Sequence, residues 1–328
     1  MDRTDLHRAF LEAVDPAALE EARTFNAGLE RLLATQPSVH TVPVEVTRRV
    51  RRQGGGLFPP PIFLPEARDL VIPGRGGGIR LRVVNPPPGK APRGVYLHIH
   101  GGGWTLGAHD MQDTALAALA DATSLAVISV DYRLAPEHPH PAGADDCEDA
   151  ARWLMASGAS AVGAPARFAI GGESAGAHLA VLVLLRLRDL HGVTGAFCAA
   201  NLVYGAFDLS MTPSQLAWGD RNLVLSGPIM RFFMDALAPN ADLAARRSPS
   251  LSPLYAELRD LPPALFSVGT VDPLLDDSLF MAARWRAAGN ASRLQVWPEG
   301  VHGFTMFPLA LARAANDAAN AFLSAAFT

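Results

Sequence analysis

From Val95 onward, short apolar runs alternate with stretches of helical spacing, and this alternation limits the fold more than any other feature of the chain. VYLHIH, LAVISVDY, RFAIGG, FCAANLVYG, ALFSVG and RLQVW each read as a strand. Helices are expected from Asp113 to Ala122, Ala144 to Met155, Ala175 to Leu190, Leu275 to Ala288 and Leu309 to Phe322. Strands that are apolar throughout and separated by helices belong in a mostly parallel sheet covered on both faces. The rhythm breaks over about 209–248, which is read as an insertion. Upstream, DLVIP and IRLRVV flank GRGGG. Alternating Ile79, Leu81 and Val83 follow those glycines where a dinucleotide loop would open a helix, so the cluster is read as a hairpin turn.

The N-terminal part has another character. MDRTDLHRAFLEAV reads as an amphipathic helix, and it carries acidic residues and no run like a signal-peptide core. Asp15-Pro16 marks a helix start, after which Leu19, Ala22, Phe25, Leu29 and Leu32 recur at helical spacing to about Thr35. The basic run Arg48 to Arg52 is read as a solvated face, because it is short and the whole chain carries a net charge of −4. The same charge argues against a nucleic-acid partner. No apolar stretch is long enough for a bilayer, so a cytoplasmic protein without stable membrane association is expected. Cys147 and Cys198 form no CxxC pair and are read as small buried hydrophobes.

The chemistry is expected at GGESAG. Gly172, Ser174 and Gly176 fit G-x-S-x-G between a strand and a helix, where a sharp turn holds a serine hydroxyl clear of the sheet. The alternative is an ordinary turn with Ser174 as a helix cap. A nucleophilic serine needs a base, and the base needs an acid to orient it. Asp272 follows one later strand and His302 the next, giving the order Ser, Asp, His. Asp276 and Asp277 are rival acids, but they fall inside the expected helix.

HGGGW, ending the first strand of the alternating region, fits the same chemistry. Attack on a carbonyl places negative charge on its oxygen, and backbone N–H groups stabilise that charge if the chain comes close enough. Glycine permits the approach. Gly101, Gly102 and, beside the nucleophile, Ala175 are the expected donors. Trp104, Phe207 and Phe304 lie near these motifs and either line a substrate pocket or pack in the core. His98 with His100, and His138 with His140, are spaced as metal pairs, but no third ligand is evident and a structural role is expected. Arg133 and Glu137 are read as holding their loop.

Taken together, HGGGW, DYRLAPEHP from Asp131 to Pro139, GESAG, DPL after GTV, and HGF from His302 to Phe304 resemble the hormone-sensitive-lipase-like esterases, the HGGG-bearing bacterial branch of the α/β-hydrolases. The resemblance runs from about His98 to Phe304 with every block in order. It implies an eight-stranded α/β-hydrolase core, a mostly parallel sheet flanked by helices, with a helical cap, no cofactor, and hydrolysis of carboxylic esters. By motif match it implies Ser174 as nucleophile, Asp272 as acid, His302 as base, and Gly101, Gly102 and Ala175 as oxyanion donors. The elbow reads GESAGA where many members have Asp before the serine and Gly at the end, a departure that bears on substrate preference.

The expected organisation is an N-terminal cap segment over 1–50, core over 51–208, cap insertion over 209–248, and core again over 249–328. The function expected is a serine carboxylesterase for short- to medium-chain esters, with a small-molecule ester as partner and a homodimer as a further expectation. Amide or lactone hydrolysis by the same triad is one alternative. A ligand-binding receptor on a hydrolase fold is another, and such a receptor should lack a working triad.

Overall fold

The computed structural model describes residues 13–58 and 60–328. The amphipathic helix expected over 1–14 falls almost entirely outside them. Eight strands form one sheet in the order β1-β2-β4-β3-β5-β6-β7-β8. They are β1 Arg68–Gly74, β2 Gly77–Val84, β3 Val95–Ile99, β4 Ala126–Asp131, β5 Phe168–Glu173, β6 Phe197–Val203, β7 Ala264–Val271 and β8 Ser292–Val301. β3 to β8 run parallel, while β2 is antiparallel to both its neighbours. Arg75 and Gly76 make the β1–β2 turn, so the glycine cluster is a hairpin as expected.

The helices between strands are α3 Asp113–Thr123, α4 Ala142–Trp153, α5 Ala175–His191, α8 Leu275–Ala287 and α9 Ala310–Ala326; the N-terminal pair is α1 Pro16–Ala34 and α2 Val44–Arg52, and the β6–β7 excursion carries α6 Pro213–Trp218 and α7 Gly227–Leu237. Every residue of β3 is buried, because successive side chains enter cores on opposite faces. Leu97 and Ile99 pack with Ala150 and Leu182, of α4 and α5, on one face. Tyr96 packs with Leu116 and Leu323, of α3 and α9, on the other.

α1 starts as the sequence dictates: the Asp15 carboxylate accepts a hydrogen bond from Ala17 N at 2.7 Å, with Pro16 at the first helical position. It lies along the β8 edge. Asn26 Nδ2 donates to the Glu299 carbonyl at 2.8 Å, and the Phe25 and Phe307 rings meet at 4.8 Å. Arg221 of the excursion is paired with Glu30 of α1, and the turn Val39–Thr41 packs on α7. The N-terminal segment and the excursion therefore touch each other beyond the carboxyl ends of the strands.

Candidate active site

Ser174 follows the last residue of β5 and immediately precedes α5. Its φ of 55° and ψ of −118° place a non-glycine residue in a strained turn, at a cost of roughly 1–3 kcal/mol. The surroundings outweigh that cost. Ser174 N donates to the Val203 carbonyl at 2.9 Å, and α5 buries Leu179, Leu182, Leu184, Leu185 and Leu187, each worth about 1.5–3 kcal/mol. Gly172 and Gly176 both abut the Ile99 carbonyl, where no Cβ would fit. These contacts let β3, β5 and α5 converge on the turn.

β7 and β8 deliver two more side chains to the same place. His302 Nε2 lies 3.0 Å from Ser174 Oγ, and His302 Nδ1 lies 2.9 Å from Asp272 Oδ2. The carboxylate therefore takes the Nδ1–H, and Nε2 is left to accept from the serine hydroxyl. Asp272 is held in turn by Leu274 N, which donates to Oδ1 at 2.8 Å. Asp272 and His302 are both buried.

The loop after β3 closes the other side. A Cβ on Gly101 would meet the Glu173 carbonyl and lie 3.5 Å from Ser174 Cβ, so this backbone runs against the nucleophile. Gly102 has a φ of 122° and its carbonyl accepts from Leu106 N at 2.8 Å. Among the described residues, none accepts from the N–H of Gly101, Gly102 or Ala175. Trp104 anchors the loop: its Nε1 donates to His178 Nδ1 at 3.0 Å, and His178 Nε2 donates to the Leu251 carbonyl at 2.8 Å. His178 must be neutral to accept there, and burial draws its pKa down to about 4. His100 stacks on Tyr132 at 4.3 Å and is likewise drawn down to about 4 by burial.

Glu173, next to the nucleophile, is held by His98 Nε2 at 3.1 Å, and His98 Nδ1 meets Ser129 Oγ at 3.0 Å. Burial raises the Glu173 pKa, but the facing His98 wins and the carboxyl sits below its ordinary value. His98 thus has a structural partner, and no cluster of three metal-ligating side chains exists among the described residues.

A cavity of about 150 Å³ opens over Ser174 and His302. The excursion supplies Ile229, Met230 and Phe233 to its wall, and the N-terminal segment supplies Val39, Arg51 and Phe58.

A sequence profile of the α/β-hydrolase fold family matches residues 96–306. The chain belongs to the α/β-hydrolase family, in its hormone-sensitive-lipase-like branch. The carboxylesterase NlhH of Mycobacterium tuberculosis H37Rv is 36% identical over 88% of this chain and 91% of its own. Among solved structures, the ester hydrolase EH1AB1 from the metagenome of Lake Arreo superposes with a TM-score of 0.81 at 32% identity, covering 96% of this chain and 99% of that one. The Pyrobaculum calidifontis esterase superposes with a TM-score of 0.81 at 28% identity, covering 97% and 100%.

Within this hydrolase, Ser174, His302, Gly101, Gly102 and Trp104 line one cavity, and Asp272 lies behind His302. Phe207 and Phe304 do not join the pocket. Phe207 is fully buried against Phe266, and Phe304 packs between Tyr204 and Trp297. Both are core residues, because each side chain turns back into the sheet layer. The rival acids are structural: Asp276 accepts from Ser214 N, and Asp277 accepts from the N–H groups of Phe207 and Asp208 and from Thr212 and Gln215.

The basic run is only in part a solvated face: Arg49 and Arg52 are exposed, while Arg48 and Arg51 are partly buried. Arg48 donates to the carbonyls of Thr105 and Ala135 and holds Glu137. Arg52 grips Asp110 through two bonds. Arg51 lies over the Phe58 ring and lines the cavity. Arg133 does hold its loop, through Asp146. The first cap segment also differs from expectation in detail. α1 braces β8 and α9, while the pocket-lining residues come from 39–61.

Proposed function

We propose that Ser174 attacks the carbonyl of short- to medium-chain carboxylic esters and carries the acyl group. The chain is a carboxylic ester hydrolase by kinship, and the relay Asp272–His302–Ser174 beside the cavity carries the assignment of roles. His302 Nε2 takes the Ser174 proton as Oγ attacks, then delivers it to the departing alkoxide. Water enters, His302 takes its proton as the water oxygen bonds to the acyl carbon, and His302 returns that proton to Ser174 Oγ as the acyl–Oγ bond breaks and the free acid leaves. Asp272 keeps the proton-bearing nitrogen of His302 turned away from the serine.

Negative charge on the carbonyl oxygen is met by the N–H groups of Gly101, Gly102 and Ala175, the last at the positive end of α5. The unmatched N–H groups beside Ser174 support this role. Residues 39–61 and α7 form the cap, which favours small esters over emulsified lipid. Among the described residues, no helix is long and apolar enough to cross a membrane.

Ser174→Ala tests the proposal. Turnover of a short-chain ester should fall by about 10⁶ in a protein with unchanged circular dichroism. An organophosphonate should modify Ser174 in the unaltered protein. Labelling of another serine, with Ser174→Ala still active, would overturn the assignment.

A further inference from the structure

α2 turns three arginines toward the body of the protein. Two of them, Arg48 and Arg52, find carboxylates in Glu137 and Asp110. Arg51, between them, finds none among the described residues. Its guanidinium carbon lies 5.3 Å from the centre of the Phe58 ring, and both residues line the cavity over Ser174. Burial lowers the Arg51 pKa to about 10. The group therefore remains a cation at neutral pH, although its surroundings penalise the charge.

A half-buried cation without a counter-charge is expensive, and a ring face compensates only part of the loss. The other charged group lining the cavity, Glu173, is engaged by His98. Gln112 also lines the cavity, and its Oε1 has no partner. Its Nε2 already donates to Met306 Sδ at 3.7 Å, so Arg51 is the cation on this wall that is left to meet an anion. A neutral ester would leave the guanidinium uncompensated. A planar anion would take two of its N–H groups in the geometry that favours arginine over lysine.

We propose that Arg51 is a specificity-determining residue that binds a carboxylate carried by the substrate away from its scissile ester bond. The preferred substrates are then half-esters of small dicarboxylic acids, or esters of comparable shape bearing one carboxylate. This deepens the esterase reading and rests on it. The reaction is unchanged: water adds across the ester bond and the remote carboxylate passes through untouched.

Binding to the Ser174→Ala protein tests the site without turnover, so its failure is separable from a failure of ester hydrolysis. Titration calorimetry compares monoethyl glutarate, an anion at neutral pH, with diethyl glutarate, in which the anion is capped. The monoester should bind about 10- to 100-fold more tightly. Arg51→Gln in the same background should abolish that ratio, and Arg51→Lys should keep part of it. In the active enzyme, kcat/KM for monoester over diester should follow the same ranking. A capped diester that binds as well as the monoester overturns the proposal, whether or not the Arg51 variants fold. So does a preference for the monoester that survives Arg51→Gln.

Discussion

Arg48 Nε lies 2.8 Å from the Thr105 carbonyl oxygen and bonds it, although the two residues are 57 positions apart. The same guanidinium donates to the Ala135 carbonyl at 2.8 Å and to both oxygens of Glu137. Thr105 N in turn donates to the Gly102 carbonyl at 3.2 Å. One arginine of the N-terminal segment thus props the loop whose backbone runs against Ser174. Glu137 is half exposed, so the ion pair itself contributes little. The two carbonyl bonds carry more of the effect.

Arg48→Met should therefore act on kcat more than on KM. Loss of the prop lets the loop drift from its donor geometry, for which about a tenfold fall in kcat is expected. Stability should drop by about 1–2 kcal/mol, as two hydrogen bonds to a charged group are lost. Arg48→Lys reaches only one carbonyl and should recover part of each. Steady-state kinetics and urea unfolding on the two variants read both effects. An unchanged kcat in Arg48→Met would show that the loop holds its own shape.

The acids separate cleanly. Asp272→Asn presents an amide N–H to His302 Nδ1, favouring the tautomer whose Nε2–H cannot accept from Ser174. Turnover should fall by about 10⁴. Asp277→Asn lies outside the relay and should alter turnover by less than about threefold, while removing an acceptor from its four donors costs about 1–3 kcal/mol of stability. Kinetics paired with thermal melts distinguish them; a larger kinetic loss in Asp277→Asn would remove Asp272 from its role.

Buried titrating groups set opposing pH effects on stability. His100 and His178 fall from 6.5 to about 4 on folding, because burial disfavours the imidazolium. Their contribution is present above 6.5 and lost as pH drops through about 4. Asp277 rises from 3.8 to about 7, because burial outweighs its hydrogen-bond donors. Its contribution is present below 3.8 and lost as pH climbs through about 7. Between about 4 and 6.5, two groups favour higher pH against one, so stability should increase with pH across that window. Asp277→Asn removes the opposing group and should steepen the increase. Urea midpoints over this range measure it, and an identical slope in the variant would contradict the assignment to Asp277.

What could be read in advance follows from how far each interaction reaches along the chain. The strand–helix alternation is local, so sheet, helices and hairpin were legible. Ser174, Asp272 and His302 were legible as a set because each directly follows a strand, and strand order then brings them together. The arginines of α2 were opaque, since their partners Thr105, Glu137 and Asp110 lie 57 to 89 positions away. A short basic run looks the same whether it faces water or the back of a glycine loop. Phe207 and Phe304 misled in the opposite sense. Nearness to a motif in sequence does not fix a side chain's direction, and both turn into the core beside Phe266 and Trp297.

Phe233 should set the length of acyl chain the pocket accepts. It lies on α7 against Gly103, where a Cβ would collide with its ring, and it lines the cavity with Ile229 and Met230. Replacing it by alanine joins the space of the ring to the existing cavity of about 150 Å³. The enlarged cavity is apolar, and each extra buried methylene of a longer acyl chain gains about 0.8 kcal/mol. Phe233→Ala should therefore move the optimum of kcat/KM toward longer chains and weaken acetate turnover. The stability loss should be about 3 kcal/mol, at the low end for a buried phenylalanine, because one side of the ring borders the cavity while the other packs on Gly103. Measuring kcat/KM from acetate to laurate esters of one alcohol checks this. An optimum that stays in place would mean that the acyl chain runs toward the N-terminal wall, past Phe58, and that α7 faces the alcohol instead.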